Sequence, residues 1–225
     1  MPRALKWIIG LLAAGLAGLV VAAGLLPPGP QTDDASEVTL AIDTKPPKPP
    51  QIRSPLYGSP TAQHRFVVWG SFTCPFTIAL VGLLGRIVAD SNGTVAIEWR
   101  HLPVHDQDPV LDVAALADPA KFWQFMVVVM GATQADANQP WDWTRIVELG
   151  KAAGIAEETL IAARDNPAVW RSVREDFLAA KLLGVSRTPG LFYDGYYMTP
   201  DGIPNDLAAF EAALRKMVGV PPKKS

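Results

Sequence analysis

The sequence of 225 residues contains only one cysteine, Cys74, and three histidines. A single cysteine excludes a disulfide within the chain and any zinc site built from several cysteines. Basic and acidic side chains nearly balance, at 20 and 22, so the chain lacks the basic excess typical of proteins that bind nucleic acids. The sequence also lacks a serine-hydrolase motif, a phosphate-binding loop and a dinucleotide-binding glycine pattern. We therefore expect neither a nucleic acid partner nor a metal site.

One long uncharged run lies near the N-terminus, over residues 7–26. About 20 apolar residues in a helix span a hydrocarbon core of roughly 30 Å. Arg3 and Lys6 lie in the preceding segment, 1–6, and such a positive end stays in the cytoplasm. The pattern predicts a transmembrane anchor in a bacterial-type inner membrane, with the following domain in the periplasm or otherwise outside the cytoplasm. A cleaved signal peptide is the alternative, and it would leave a soluble periplasmic or secreted domain.

Prolines are dense over residues 27–60, which favours extended polyproline II structure and predicts a semi-rigid stalk. Residues 61–225 are then predicted to form one α/β domain. Periodicity predicts a strand, a helix and a second strand, followed by a helical insertion over about 108–184 with breaks at Pro119, Pro140, Gly154 and Pro167. Two more strands and a final helix complete the domain. A strand–helix–strand opening favours a parallel pair with a right-handed crossover.

Cys74 lies where the first of these strands ends and the helix begins. Pro75 suits the first helical position, because its missing N–H would be unpaired there in any residue. Cys74 is therefore predicted to be the N-cap residue, with its sulfur facing free backbone N–H groups and the positive end of the helix dipole. This environment favours the thiolate form of Cys74. Thr77, one turn along, is predicted to donate a hydrogen bond to it. A buried structural cysteine is the alternative interpretation.

Two segments resemble the DsbA-like branch of the thioredoxin superfamily. Residues 56–77 (LYGSPTAQHRFVVWGSFTCPFT) resemble the entry to that family's active site, where a strand leads into F-x-C-P-x-C. Residues 184–195 (GVSRTPGLFYDG) resemble its second signature, Gly-Val-x-x-Thr-Pro followed by a strand. WRHLPV at 99–104 and Lys-Phe-Trp at 121–123 are also similar. The resemblance implies a thioredoxin-like fold with an inserted helical domain, and a cis Pro189 that faces the cysteine.

The sequence departs from the family's pattern at one position, because Thr77 stands where the family has its second cysteine. This chain cannot store a disulfide of its own, so a two-cysteine cycle is excluded for the monomer. A single thiolate can still attack a client disulfide and leave when the client's own thiol attacks. We expect Cys74 and Thr77 to be catalytic. The residues expected to contact the client are Pro75, Phe76, Arg187, Thr188 and Pro189. The backbone of Thr188 is expected to pair with an extended client segment.

The expected function is that of a membrane-anchored thiol–disulfide oxidoreductase or isomerase. Its expected partners are protein clients with cysteines or disulfides, the membrane through residues 7–26, and a thiol-redox protein. No bound cofactor is expected, and glutathione or another small thiol is a candidate co-substrate. Two alternatives stay open: a non-catalytic thioredoxin-fold binding module of an envelope assembly, and a monothiol glutathione-linked or peroxidase-type activity.

Overall fold

A computed structural model of the chain describes residues 54–136, 138–198 and 206–222. The predicted segments 1–6 and 7–26, and most of the predicted stalk, lie outside these residues. Among the helices of the described residues, none is both long enough and apolar enough to cross a membrane.

The described residues form one mixed sheet and a set of helices. The strands are β1 (Leu56–Gly58), β2 (His64–Gly70), β3 (Val95–His101), β4 (Gly190–Tyr193) and β5 (Tyr196–Met198). The helices are α1 (Pro75–Asp90), α2 (Asp108–Ala115), α3 (Phe122–Ala135), α4 (Trp143–Ala152), α5 (Glu157–Arg164), α6 (Pro167–Leu182) and α7 (Leu207–Met217).

The sheet has the strand order β1-β3-β2-β4-β5. Its three central strands bring the segments joined to them to one edge of the sheet. β2 and β3 are parallel, with Gly70 opposite His101 at their carboxyl ends. β4 runs antiparallel to β2, with Gly190 opposite Trp69. The segments that follow β2 and β3, and the segment that precedes β4, therefore start at the same edge of the sheet.

Alternation along β2 divides its side chains between two apolar clusters. Phe66 and Val68 pack in the main core with Leu83, Leu84 and Ile87 of α1. Trp69 points to the opposite face, where it packs in a smaller cluster with Leu102, Ala180, Val185 and Phe192. Both faces of the sheet are thus covered at the end of β2, and this burial holds in place the loop that continues to Cys74.

The sequence predicts a helical insertion over about 108–184, and in the structure this segment lies between β3 and β4. Five helices, α2 to α6, occupy this part of the chain. Their boundaries follow the breaks that Pro119, Pro140, Gly154 and Pro167 indicate. Pro167 begins α6, and the side chain of Asn166 accepts a hydrogen bond from Ala168 N at the same helix end. Proline at the first helical position and a capping asparagine explain why the helix starts there.

Strand β1 lies inside residues 27–60, the segment predicted to be a stalk, so the end of that segment is part of the sheet. Leu56 and Tyr57 pair antiparallel with β3, and Trp99 N donates to Pro55 O at 2.9 Å. Prolines at 55 and 60 flank the strand without interrupting it, because an edge strand leaves one row of N–H groups unpaired anyway. The folded domain therefore already includes Ser54 to Pro60.

Candidate active site

Cys74 is the N-cap residue of α1, as predicted. Its backbone is extended (φ −80°, ψ 119°), Pro75 follows at the first helical position, and Ile78 N donates to Cys74 O at 3.0 Å. No helix N–H is hydrogen-bonded to its side chain. The sulfur therefore lies at the positive end of the helix without capping it.

The loop before β4 lies against this sulfur. Cys74 Sγ donates a hydrogen bond to Thr188 O at 3.6 Å, and the Thr188–Pro189 peptide bond is cis, as the family resemblance implies. The antiparallel pairing of β2 with β4 brings these residues together, although they are 114 positions apart in the sequence.

Exposure differs sharply among the predicted site residues. Cys74 is only 6% exposed, whereas the Phe76 side chain two residues on is 73% exposed. Pro75 and Arg187 are exposed, while Thr188 and Pro189 are half-buried. Phe76 and Arg187 are therefore accessible at the surface, whereas the side chain of Cys74 is almost completely covered.

Thr77 does not form the predicted hydrogen bond. Its side chain is fully buried, and Thr77 Oγ1 has no hydrogen-bond partner within the described residues. Its methyl group fills the space over Gly70, because a Cβ added to Gly70 would lie 2.6 Å from Thr77 Cγ2. Cys74 already gives its hydrogen to Thr188 O, and a thiol sulfur is a weak acceptor, so little draws the hydroxyl toward it.

A carboxylate that the sequence did not single out connects two loops beside Cys74. Asp108 is buried, and its Oδ1 accepts a hydrogen bond from Thr73 Oγ1 at 2.8 Å. Its Oδ2 accepts from the backbone N–H groups of Val104 and His105, both at 2.9 Å. His105 Nδ1 lies 3.1 Å from Thr73 Oγ1. The residue immediately before the cysteine is thus held to the segment that follows β3.

A second histidine–carboxylate pair is buried behind this loop. His101 Nδ1 lies 2.8 Å from Asp112 Oδ1, and the rings of Phe72 and Phe122 meet the imidazole edge to face. Burial raises the pKa of Asp112 to about 6, against the opposing effect of His101. Burial also works to lower the pKa of His101, but the neighbouring Asp112 outweighs it and the pKa is raised. The two groups therefore retain protons that the separate side chains would lose.

Neither histidine–carboxylate pair was predicted from the sequence. One signal was present, because Asp112 is a carboxylate within the apolar run Leu111 to Ala115, a pattern that indicates a buried partner. The identity of that partner depends on how the strand and helix pack. Across the described ranges, no three His, Cys, Asp or Glu side chains are arranged to hold a metal ion.

Comparison with known structures gives the same fold. Alpha-DsbA2 of Wolbachia pipientis, a thiol-disulfide exchange protein, is 20% identical and aligns over 75% of this chain and 87% of its own, with a TM-score of 0.60. The catalytic domain of Proteus mirabilis ScsC is 17% identical over 74% and 90%, with a TM-score of 0.61. BdbD of Bacillus subtilis in its oxidised form is 18% identical over 74% and 91%, with a TM-score of 0.58.

The sequence comparisons identify the family. A search of the curated proteins found no match to this chain. A family model described as thioredoxin matches residues 51–215, which include both loops of the site and the whole helical insertion. The described structure agrees, with the cysteine at the start of α1 opposite a cis proline, and its structural neighbours are DsbA-type proteins. This chain therefore belongs to the thioredoxin family, and within it resembles the DsbA-like branch.

Proposed function

We propose that this protein is a thiol–disulfide oxidoreductase or isomerase that acts on protein clients through one nucleophilic cysteine, Cys74. The observation that supports this most is the position of its sulfur, which lies at the N-terminal end of α1 and 3.6 Å from Thr188 O, beside the cis proline. One of the similar structures is a thiol-disulfide exchange protein. A purely structural cysteine would not require this arrangement of helix end and loop.

The reaction proceeds by thiolate exchange. Cys74 loses its proton, and its sulfur attacks one sulfur of a client disulfide. A bond forms between Sγ and that sulfur, the client's S–S bond breaks, and the other client sulfur leaves as a thiolate. A different client thiolate then attacks the mixed disulfide and Cys74 leaves. The client's disulfides are rearranged, with no net oxidation or reduction.

Three features of the site favour an extended client segment. The backbone of Thr188 can pair with a client strand next to the sulfur, in the manner of strand addition. Phe76 presents a large exposed ring two residues after the cysteine, and Arg187, the residue before Thr188, presents an exposed charge. The client thus brings its sulfur to a cysteine that free solvent scarcely reaches.

Thr77 has a place in this reaction because its hydroxyl is buried and unpartnered. When Cys74 loses its proton, the sulfur can no longer donate to Thr188 O and becomes an acceptor. A hydroxyl one turn along the helix can then donate to it. A hydrogen bond to an ionised group contributes more than one between neutral groups, so this contact would stabilise the thiolate selectively.

The test is exchange between the full chain in detergent and a disulfide-bonded peptide, followed by mass spectrometry. Unaltered protein should form a mixed disulfide at Cys74, and Cys74→Ser should form none. Thr77→Val keeps the shape of the side chain and should slow exchange about tenfold, while thermal stability stays equal or rises because a buried unpaired hydroxyl is removed.

A different result would favour the non-catalytic binding module. If unaltered protein forms no mixed disulfide, and Cys74→Ser captures the same partners as unaltered protein, covalent exchange is not the function. If Thr77→Val slows exchange only in proportion to lost stability, the hydroxyl has no catalytic part.

We further propose that residues 7–26 anchor the domain in the inner membrane with the domain outside the cytoplasm. The support is the uncharged run itself and the basic Arg3 and Lys6 before it. An anchored chain should stay in the membrane fraction after an alkaline wash and keep its N-terminal residues. Recovery of a shortened chain in the soluble periplasmic fraction would show a cleaved signal peptide instead.

A further inference from the structure

A cavity of about 470 Å³ lies between the segment that follows β3 and helix α6. Val104, Trp170 and Phe177 contribute apolar surface to its wall. His105, Asp106 and Arg174 contribute polar groups. Its volume is within the range of roughly 300–1,000 Å³ that is usual for small-molecule sites.

The cavity wall carries two charged side chains of opposite sign, Asp106 and Arg174, which do not form a salt bridge with each other. Asp106 and Arg174 are both exposed, and neither forms a salt bridge with any residue in the part of the chain that the structure describes. A separated carboxylate and guanidinium complement a ligand that carries both an ammonium group and a carboxylate.

His105 connects this cavity to the cysteine. It lines the cavity, and its Nδ1 lies 3.1 Å from Thr73 Oγ1, in the residue covalently joined to Cys74. Asp108 accepts hydrogen bonds from Thr73 Oγ1 and from His105 N, and it thereby holds the two residues together. The cavity is thereby fixed relative to the loop that carries the nucleophile.

The chemistry of a single cysteine requires a second thiol from outside the chain. When no client thiol can attack, the mixed disulfide on Cys74 persists, because Cys74 is the chain's only cysteine. We propose that the cavity binds a low-molecular-mass thiol with an amino-acid end group, and that this thiol resolves the mixed disulfide. Asp106 binds its ammonium group, Arg174 binds its carboxylate, and its sulfur is directed to Cys74. This inference rests on the exchange function proposed above.

Two molecules of the thiol complete the cycle. The first gives its proton to His105, and its sulfur attacks Cys74 Sγ. The bond between Cys74 and the client breaks, and the client leaves with the proton from His105. The second thiol attacks the sulfur of the first and displaces Cys74, which regains a proton. The small thiol is oxidised to its disulfide, and the client sulfur is reduced.

The reverse of one half-reaction gives a direct test with the full chain in detergent. The Cys74 thiolate attacks glutathione disulfide, forming a mixed disulfide and releasing glutathione. Hydroxyethyl disulfide, which carries no charge, serves as the comparison reagent. The ratio of the rate with glutathione disulfide to the rate with hydroxyethyl disulfide should be higher for unaltered protein than for free cysteine. Arg174→Gln should reduce only the glutathione rate, by about tenfold, which is the effect of losing one charge-assisted contact.

Arg171→Gln is the matched control, because Arg171 is another exposed arginine of α6 and does not line the cavity. It should leave both rates unchanged. Equal loss of rate toward both reagents in Arg174→Gln, or no loss toward either, would overturn the cavity as a thiol site while leaving the exchange function intact. If unaltered protein reacts with neither reagent and forms no mixed disulfide with a peptide, the exchange function itself fails and the cavity proposal fails with it.

Discussion

The two histidine–carboxylate pairs whose histidines lie at the end of β3 and just after it have similar chemistry and different surroundings. His101 and Asp112 are both buried, and their closest atoms are 2.8 Å apart. His105 and Asp108 are 3.2 Å apart, but the His105 side chain is 49% exposed while the carboxylate is buried. One pair is therefore enclosed completely, whereas in the other only the carboxylate is buried and the histidine is half exposed.

The difference arises from where each histidine falls relative to the end of the strand. His101 is the last residue of β3, opposite Gly70, and its ring is enclosed by Phe72 and Phe122. His105 comes four residues later, after Pro103 has taken the chain out of the sheet. Water solvates the exposed imidazole and lowers the cost of its charge, whereas the enclosed imidazole depends on its carboxylate.

The largest effect should come from breaking the enclosed pair. His101→Leu leaves the Asp112 carboxylate buried without its partner, so we expect a loss of about 3 kcal/mol in the free energy of unfolding. His105→Leu should change it by less than about 1 kcal/mol, because the site is partly exposed. Denaturant unfolding monitored by circular dichroism gives both values.

The double variant His101→Leu/Asp112→Leu decides the cause. If the loss comes from an uncompensated charge, replacing both groups by apolar side chains should recover most of it. A double variant that is as unstable as His101→Leu would show instead that the shape of the imidazole, and not its pairing, is what the surrounding rings require.

A smaller effect should appear in the pH dependence of stability. The pKa of Asp112 is about 6 in the folded protein against 3.8 for an ordinary aspartate, so between these values the folded state holds a proton that the unfolded state has lost. The free energy of unfolding should therefore fall as the pH rises through this window, by at most about 1.4 kcal/mol per pH unit. The raised pKa of His101 acts in the same direction above pH 6.5.

The measurement is the unfolding midpoint of unaltered protein and of the double variant between about pH 4 and pH 8. The variant should show a flatter dependence over this range, since both titrating groups are gone. A double variant with the original slope would assign the pH dependence to other groups.

Much of the fold followed from local signals. Proline at position 75 placed the start of α1 and made Cys74 its N-cap, and the breaks at Pro119, Pro140, Gly154 and Pro167 divided the helical insertion correctly. These residues act on their own backbone, through a missing N–H or a restricted φ, so their effect can be predicted without knowledge of distant contacts.

The missed features all depend on contacts between distant segments. Asp108 is positioned by Thr73, 35 residues earlier, and Asp112 by a histidine on a different element. β1 is a three-residue strand between prolines, too short for alternation to reveal, and it exists because β3 offers it a free edge. The Thr77 hydroxyl was expected at the sulfur because the helical spacing allowed it, but packing over Gly70 determines the position of its methyl group.

The short outer strands of the sheet have a consequence for the proposed exchange reaction on protein clients. Among the described strands, the two at the edges are β1 and β5, and each has only three residues. An unfolded client is an extended chain whose backbone can pair with exposed strand edges, so long edges would promote its aggregation onto the sheet. Edges this short offer few backbone groups. Under the proposed function, the segment around Thr188 would then be the place where a client pairs, 3.6 Å from the sulfur, so that the client would be bound and react at the same point.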